Sequence, residues 1–309
     1  MQKSPALLSG IGNNEDASIY QISNDLALVQ TLDFITPVVN SAYHFGAIAA
    51  ANALSDVFAM GADVINALNI VGFDNCNHNL DVLQELLEGA NDKVQECKGL
   101  TVGGHTIQSS ELFFGLSVTG RVKPKEFIAN NTAKIGDFLI LTKPLGVGIL
   151  STALKGEMLE KRHLKPLLKS TMKLNLKASK IALKFKASAM SDVTGFGLLG
   201  HLKEMLNNKI CIEIFKNEAL FLDGTKKYFD MGFVPGGAYK NYEFIENECE
   251  NLSKNELLLC DPQTSGGLLI ALSENKINGA LKALKDEGEE AFVIAKCIAN
   301  TNQKRLIIK

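Results

Sequence analysis

Hydrophobic and polar positions along the chain predict a mixture of strands and helices in its first third. Residues 17–22 and 25–34 have the composition of short β-strands, and the polar pair between them predicts a hairpin. Residues 45–62 are alanine-rich with apolar positions at helical spacing, and 80–96 have the pattern of an amphipathic helix. We predict further strands at 65–73 and 111–122. Together these elements indicate an α+β arrangement of a mixed sheet with helices.

A polar, aperiodic stretch at 123–136 separates this part from a new strand at 138–142. We therefore predict two domains, 1–122 and 137–309, joined by a linker at 123–136. A glycine-rich turn and a helix follow the new strand. Lysines then recur at steps of three or four over 165–184, which predicts one long helix with a solvated basic face rather than a docking stripe for an acidic partner. The remaining predictions are strands at 211–215, 267–272, 291–298 and 305–309, and a helix at 274–287.

The amino-acid composition limits the classes of function that this protein can have. The 309 residues are 46% hydrophobic and 21% charged, as in a soluble globular protein, and the net charge of -2 gives no basic face for nucleic acid. No apolar run approaches the roughly 20 residues that span a bilayer, and the N-terminus lacks the pattern of a signal peptide. Six scattered cysteines without a CxxC pair suit a reducing compartment. We expect a cytoplasmic protein whose cysteines are small buried hydrophobes.

Four acids share an unusual setting, because each lies at the edge of an apolar or small-residue element without an adjacent lysine or arginine. They are Asp16, Asp33, Asp56 and Asp192. Carboxylates near apolar surface are costly unless they are paired or bind a cation, and oxygen ligands from several elements suit Mg²⁺. The alternative for each acid taken singly is a helix cap or a turn residue.

Two glycine pairs strengthen the case for a phosphate ligand. They lie in TVGGHT (101–106) and TSGGLL (264–269), each near a predicted strand. Glycines allow close backbone approach and let N–H groups converge on phosphate oxygens, although turns need glycines too. Neither pair belongs to a Walker A motif or a dinucleotide fingerprint. Acids combined with glycine loops favour metal-assisted phosphoryl transfer, in which catalysis is mostly positioning and charge neutralisation.

The chain resembles the selenophosphate synthetases, also called selenide, water dikinases, in the aminoimidazole ribonucleotide synthetase superfamily. The matching stretches run from residue 10 to about residue 272. They include TLDFITPVV (31–39), VGGHTI (102–107), LTKPLGVGIL (141–150), SDVTGFGLLGH (191–201) and DPQTSGG (261–267). The last two are the most specific of these stretches.

The resemblance implies a two-domain fold and a nucleotide site. The N-terminal mixed sheet would pair across a homodimer into a β-barrel, beside a C-terminal α/β sandwich, with ATP in the groove between the halves. By match to the family, Asp16, Asp56 and Asp192 are Mg²⁺ ligands. The residues matched to ATP binding are Asn13, Asn14, Glu15, Asp33, Asp56, Gly103, Gly104 and His105. The segment with His105 would contact ATP in its own subunit or in the partner subunit. The alternative interpretation of His105 is a polar turn residue.

The implied reaction converts ATP, selenide and water to selenophosphate, AMP and orthophosphate. The γ-phosphoryl group would go to selenium, and the remaining ADP would lose its β-phosphate to water. The implied partners are ATP, selenide and a second copy of the chain, and a selenium-delivery protein is a candidate. Nucleic acid and membranes are not expected partners.

The chain departs from the family pattern near its start. Family members carry a cysteine or selenocysteine, and a lysine three residues later, upstream of the first metal-binding acid. None of the fifteen residues before Asp16 is cysteine, and Lys3 lacks the surrounding pattern. Three explanations compete: the segment was cut away, the start was assigned after an in-frame UGA codon that encodes selenocysteine, or the protein truly lacks the segment. We expect impaired turnover without it. Glu15 also stands where a second aspartate is common.

Two alternative functions remain open at this point. One is a non-catalytic ATP-binding dimer kept for partner interactions. The other is a different kinase of the superfamily, such as thiamine monophosphate kinase, which would release ADP rather than AMP. The SDVTGFG and DPQTSGG stretches favour the dikinase.

Overall fold

A computed structural model describes residues 4–10, 12, 14–301 and 304–309. The chain forms two compact units. Unit 1 comprises the described residues up to Phe127 together with Thr171–Leu176, and unit 2 comprises Ile128–Ser170 and Lys177–Lys309. Each unit has its own sheet and core, so they are described separately.

Unit 1 is built on a six-stranded sheet with the order β1-β2-β3-β6-β4-β5. Neighbouring strands are antiparallel, except that β4 and β5 are parallel and joined through helix α2. The predicted hairpin and both predicted helices are present. The elements are β1 (Leu7–Ser9), β2 (Ser18–Gln21), β3 (Ala27–Ile35), α1 (Ala42–Ala59), β4 (Asp63–Phe73), α2 (Leu80–Glu96), β5 (Leu100–Gln108) and β6 (Phe113–Val122).

Helix α1 is the centre of the unit 1 core. The Ser41 hydroxyl accepts from the His44 N–H at its start, and fourteen of its eighteen residues are buried. Its alanines and glycine let α2 approach closely: a Cβ at Gly46 would lie 1.9 Å from the Leu86 carbonyl oxygen, and one at Gly89 would lie 2.0 Å from that of Tyr43. The two helix backbones therefore touch where side chains would normally separate them.

The unit 1 sheet has two different faces. Residues facing α1, such as Val29, Leu116 and Val118, are fully buried. On the opposite face, Leu32 and Phe34 are more than half exposed. Within this chain the sheet is open, with β1 and β5 at its edges, and is not closed into a barrel.

Unit 2 contains a seven-stranded mixed sheet with the order β10-β13-β9-β12-β7-β11-β8. Its strands are β7 (Asp137–Leu141), β8 (Ala189–Asp192), β9 (Ile210–Ile214), β10 (Cys249–Glu250), β11 (Leu268–Ser273), β12 (Phe292–Ala299) and β13 (Leu306–Ile308). Its helices are α3 (Val147–Lys155), α4 (Lys161–Met172), α5 (Leu176–Lys184), α6 (Gly197–Glu204), α7 (Thr225–Asp230), α8 (Gly236–Ile245) and α9 (Glu274–Asp286), with 3₁₀ helices at Glu218–Leu220 and Lys254–Cys260.

The central strands of unit 2 are buried on both faces, which explains their continuous apolar sequences. Leu139, Ile140 and Leu141 of β7 have no exposed surface, and the neighbouring β11 is buried from Leu268 to Leu272. The four strands predicted after residue 210 and the helix predicted at 274–287 are all present. Strand β8, which ends at Asp192, was not predicted because it has only four residues.

The prediction of one long helix over the lysine-rich segment at 165–184 is wrong. This segment forms α4 and α5, with a break at 173–175. Leu174 and Asn175 in the break are buried, and the Asn175 amide donates to the Ser55 hydroxyl of α1 at 2.8 Å. A continuous helix would give up this buried contact. The lysines of α4 and α5 are nevertheless exposed, as an amphipathic helix requires.

No helix in the described part of the chain is long and apolar enough to cross a membrane. None of the six cysteines, all within the described part of the chain, forms a disulfide, and five of them are buried. Burial raises the pKa of Cys249, Cys260 and Cys297 to about 12. These thiols are therefore protonated, as expected for small apolar core residues.

Candidate functional site

Two of the predicted acids, Asp33 and Asp56, meet where β3 packs against α1. Thr31 and Asp33 lie two residues apart on one face of β3, and Asn52 and Asp56 lie one turn apart on α1. The Asn52 amide donates to Asp33 Oδ2 at 2.5 Å, and the Thr31 hydroxyl donates to Asp56 Oδ2. Each carboxylate is thus oriented by a neutral donor from the opposite element.

Asp16 approaches the same part of the sheet. Strand β2 pairs with β3 so that Ser18 lies opposite Gln30. Asp16 comes just before β2, on the side where Thr31 and Asp33 follow Gln30 along β3, and it is half-buried. The adjoining predicted residue Glu15 is half-buried, Asn14 is exposed with a left-handed backbone (φ 50°), and Asn13 lies outside the described residues.

The first glycine pair lies inside a strand, where the sequence indicated only a segment between strands. Asn69 of β4 pairs with Gly104, and Ala67 pairs with Thr101, so one residue of β4 faces two of β5 in a β-bulge. Gly103 and Gly104 have φ of 141° and 155°, and a Cβ at Gly104 would lie 2.3 Å from the Asn69 carbonyl oxygen. The bulge therefore requires glycine.

His105 lies on the other face of the sheet from Asp33. It pairs with Ile70, which lies opposite Gly115, and Gly115 lies opposite Phe34. This row belongs to the exposed face, whereas Asp33 pairs with the buried Leu116 on the α1 face. A single chain therefore brings Asp33 and Asp56 together but does not bring His105 to them.

In unit 2, three sequence motifs converge at one end of the sheet. Leu268 of β11 pairs with Asp192 at the end of β8 and exchanges two hydrogen bonds with Thr142, which follows β7. Asp192 is only 1% exposed. The LTKP, SDVTG and SGGLL stretches are distant in sequence, but they lie side by side at this end of the sheet.

The second glycine pair, Gly266 and Gly267, lies in a narrow space next to these three stretches. A Cβ at Gly266 would lie 2.0 Å from the Val193 carbonyl oxygen, and one at Gly267 would lie 2.4 Å from the Lys143 backbone nitrogen. The Val193 N–H donates to the Gly267 carbonyl at 2.9 Å. These glycines are required by close packing between the chain segments that follow β7 and β8.

Asp261 and Gln263 of the DPQTSGG stretch cap helix α3. The Gly148 N–H donates to Asp261 Oδ2 at 3.0 Å, and the Val147 N–H donates to Gln263 Oε1 at 3.2 Å. The Gln263 amide also donates to Asp261 Oδ2 at 2.9 Å. The first N–H groups of a helix lack partners within the helix, so these side chains satisfy them and join two loops more than a hundred residues apart in the chain.

His201 and Asn241 fix the loop after Asp192. His201 Nε2 accepts from the Thr194 N–H at 3.0 Å, and its Nδ1 lies 3.0 Å from Glu204 Oε2. The Asn241 amide donates to the carbonyl groups of Gly195 and Cys260. The histidine of the SDVTGFGLLGH stretch therefore anchors its own loop.

Sequence reasoning missed several residues that position this chemistry. They are Thr31, Asn52, Lys143, Asp261, Gln263, His201 and Asn241. Most lie in the stretches that carried the family resemblance, but no periodicity or spacing distinguishes a positioning residue there from a core or turn residue.

Comparison with known proteins defines the class to which this fold belongs. The N-terminal domain model of the AIR synthase related proteins matches residues 14–122, and the C-terminal domain model matches 134–307. Crystal structures of thiamine-monophosphate kinase from Stenotrophomonas maltophilia K279a and of hydrogenase maturation protein HypE in complex with ATP share the fold, with TM-scores of 0.71 and 0.69. They are 16% and 17% identical, over 99% of this chain and 92% and 87% of theirs.

Curated relatives identify the family within that class. A selenide, water dikinase from Campylobacter jejuni strain RM1221 is 71% identical over 308 residues, covering 100% of this chain and 90% of the relative. One from Aliarcobacter butzleri strain RM4018 is 47% identical, covering 97% and 89%. The chain belongs to the selenide, water dikinase family, and is thus a phosphotransferase enzyme, as the sequence resemblance implied.

Asp261 should make stability depend on pH. Burial raises its pKa to about 7 from an ordinary value of 3.8, so the folded chain binds this proton more tightly than the unfolded chain. The resulting stabilisation is full below about pH 4 and is lost as pH rises to about 7. In Asp261→Asn this loss disappears, so the unfolding free energy of the variant should gain on that of wild type between about pH 4 and 7, by up to about 1.4 kcal/mol per pH unit. Denaturant titrations across this range test it, and parallel pH profiles would contradict it.

Proposed function

We propose that the chain makes selenophosphate from ATP, selenide and water in two phosphoryl transfers. In the first, selenium attacks the γ-phosphorus, a P–Se bond forms, and the bond from that phosphorus to the β–γ bridging oxygen breaks. In the second, water attacks the β-phosphorus of the remaining ADP, releasing AMP and orthophosphate. The observation that carries this proposal is the 71% identity to a selenide, water dikinase across the whole chain.

The described residues form no cluster of three or more His, Cys, Asp or Glu side chains that could hold a metal ion. The case for magnesium therefore rests on the match to the family and on the chemistry of the carboxylates. Carboxylate oxygens are the hard ligands that Mg²⁺ prefers, and we propose Asp16, Asp56 and Asp192 as those ligands. The Asn52 amide donates to Asp33 and the Thr31 hydroxyl donates to Asp56, and neither of these donors carries a charge. Bound Mg²⁺ would neutralise phosphate oxygens and align them for transfer.

The protein's own part is mainly positioning. Thr31 fixes the rotamer of Asp56, and Asn52 fixes that of Asp33, for which we propose contact with the nucleotide and its metals. Selenide is a strong nucleophile near neutral pH, so the first transfer needs no general base. The other proposed nucleotide contacts are Asn13, Asn14, Glu15, Gly103, Gly104 and His105.

The position of His105 supports a role for a second subunit. Within one chain it lies on the exposed face of the sheet, opposite to the α1 face that carries Asp33, so a second copy packed against the exposed face would contact His105. The same face carries Leu32, Phe34 and Leu68, which are 57%, 53% and 43% exposed. A contiguous apolar sheet face of this kind favours self-association, and we propose a homodimer through it.

A cytoplasmic location is part of the proposal, because free cysteines suit a reducing compartment. Selenide reaches the enzyme free or from a delivery protein.

Phe34→Glu should break the proposed dimer. A charge in the middle of the exposed apolar face would have to be buried without a partner. Sedimentation equilibrium should give a dimer for wild type and a monomer for the variant. Leu80→Glu is the matched control, because Leu80 is 73% exposed on α2 and lies on a different surface of unit 1. A dimeric Phe34→Glu variant, or a monomeric wild type, would contradict the assignment.

Product analysis tests the reaction itself. With ATP, Mg²⁺ and selenide under anaerobic conditions, phosphorus NMR should show selenophosphate, AMP and orthophosphate accumulating in equal amounts. Omitting selenide should abolish selenophosphate. Accumulation of ADP without AMP would point to another superfamily kinase, and nucleotide binding without any product would point to a non-catalytic nucleotide-binding dimer.

A further inference from the structure

Ser265 has an unusual backbone for a buried residue. Its φ is 53°, in the left-handed region that residues other than glycine avoid, and it is 1% exposed. The other non-glycine residues with positive φ in the described part of the chain are all exposed. They are Asn14, Lys98, Glu157, Lys186 and Asn251. Strained buried residues persist where their surroundings hold them, and such positions concentrate at functional sites.

The side chain of Lys143 meets this strained residue. Lys143 is 2% exposed, and its ammonium donates to the Ser265 carbonyl at 2.7 Å and lies 3.5 Å from the Ser265 hydroxyl. A buried ammonium is costly unless its donors are satisfied. The hydrogen bond therefore serves both residues, since it helps satisfy the cation and holds the Ser265 peptide in its left-handed conformation.

This turn controls the backbone next to Asp192. Directly after Ser265, Gly266 packs against the Val193 carbonyl, and the Gly267 carbonyl accepts from the Val193 N–H. Val193 follows Asp192, which itself pairs with Leu268. If Ser265 relaxed to an ordinary backbone conformation, the strand-end position of Asp192 would lose this support.

We infer that Lys143 is a positioning residue for Asp192: its ammonium holds the Ser265 turn, and the turn fixes the backbone that presents the proposed metal ligand. The inference rests on the proposed function, because it takes Asp192 as a Mg²⁺ ligand. It assigns Lys143 no contact with substrate. Supporting partners of metal ligands commonly change metal affinity by about 10- to 100-fold when removed.

The first variant is Lys143→Met, which keeps most of the side-chain volume and removes the ammonium. With a non-hydrolysable ATP analogue and calorimetry, the Mg²⁺ concentration for half-maximal analogue binding should rise at least about tenfold. Lys282→Met, at an exposed lysine of α9, is the matched control and should leave this value unchanged. An unchanged value in Lys143→Met would overturn the inference.

Rescue at Ser265 separates positioning from direct charge contact. Glycine adopts φ near 53° without support, so Lys143→Met/Ser265→Gly should regain most of the lost Mg²⁺ affinity, whereas Lys143→Met/Ser265→Ala should not. Equal failure of both double variants would mean that the ammonium acts through its charge, and would overturn the positioning role. Circular dichroism melts of each variant identify unfolding, and a double variant with Gly that folds but is not rescued counts against the inference.

Asp192→Asn distinguishes this inference from the proposed function. If Asp192→Asn binds the Mg²⁺–analogue complex as wild type does, the metal role of Asp192 is wrong. If Asp192→Asn loses affinity while Lys143→Met keeps it, only the role of Lys143 is wrong.

Discussion

A charged group removed from water must have its hydrogen bonds supplied by the protein, and this constraint determines how the chain arranges its polar interior. Asp33 and Asp56 are oriented by an amide and a hydroxyl across the β3–α1 contact. Asp261 is held at the start of α3, and Lys143 is held by the Ser265 carbonyl. Each interaction joins segments far apart in sequence. The buried polar groups therefore fix loop positions as well as charge.

The glycines of the recognisable motifs have a physical role that is visible in each unit. Gly104 forms a bulge in an edge strand, and Gly266 and Gly267 fill a space too narrow for a Cβ. Both sites bring backbone close to backbone beside a predicted acid or nucleotide contact. Such glycines are compatible with phosphate binding, but their packing role alone accounts for the residue type.

Much of the fold follows from local pattern. The β2–β3 hairpin, helices α1 and α2 and the buried strands β7, β11 and β12 have clear periodicity or long apolar runs. Strand β5 was obscured because its two central glycines resemble a turn. The break between α4 and α5 was not predictable, since no glycine or proline lies at 173–175 and the hydrogen bond from Asn175 to Ser55 is visible only in the folded chain.

The candidate site was predictable in its acids but not in their supports. Asp16, Asp33, Asp56 and Asp192 drew attention because no neighbouring cation in the sequence neutralises them. No sequence pattern distinguishes Asn52 and Lys143 from other residues. Their hydrogen-bond partners, Asp33 and Ser265, are identified only in the folded structure. The face on which His105 lies depends on a bulge one residue long, so it could not be derived from alternation alone.

The most direct test of the account concerns Asp192. Calorimetric titration with Mg²⁺ and a non-hydrolysable ATP analogue would compare wild type, Asp192→Asn and Asp137→Asn. Asp137→Asn is the control, because Asp137 is also a buried carboxylate and lies at the start of β7, at the opposite end of the same sheet. Asp192→Asn should lose Mg²⁺-dependent binding at least about tenfold while remaining folded, and Asp137→Asn should bind as wild type does. Wild-type affinity in Asp192→Asn, or an equal loss in both variants, would contradict it.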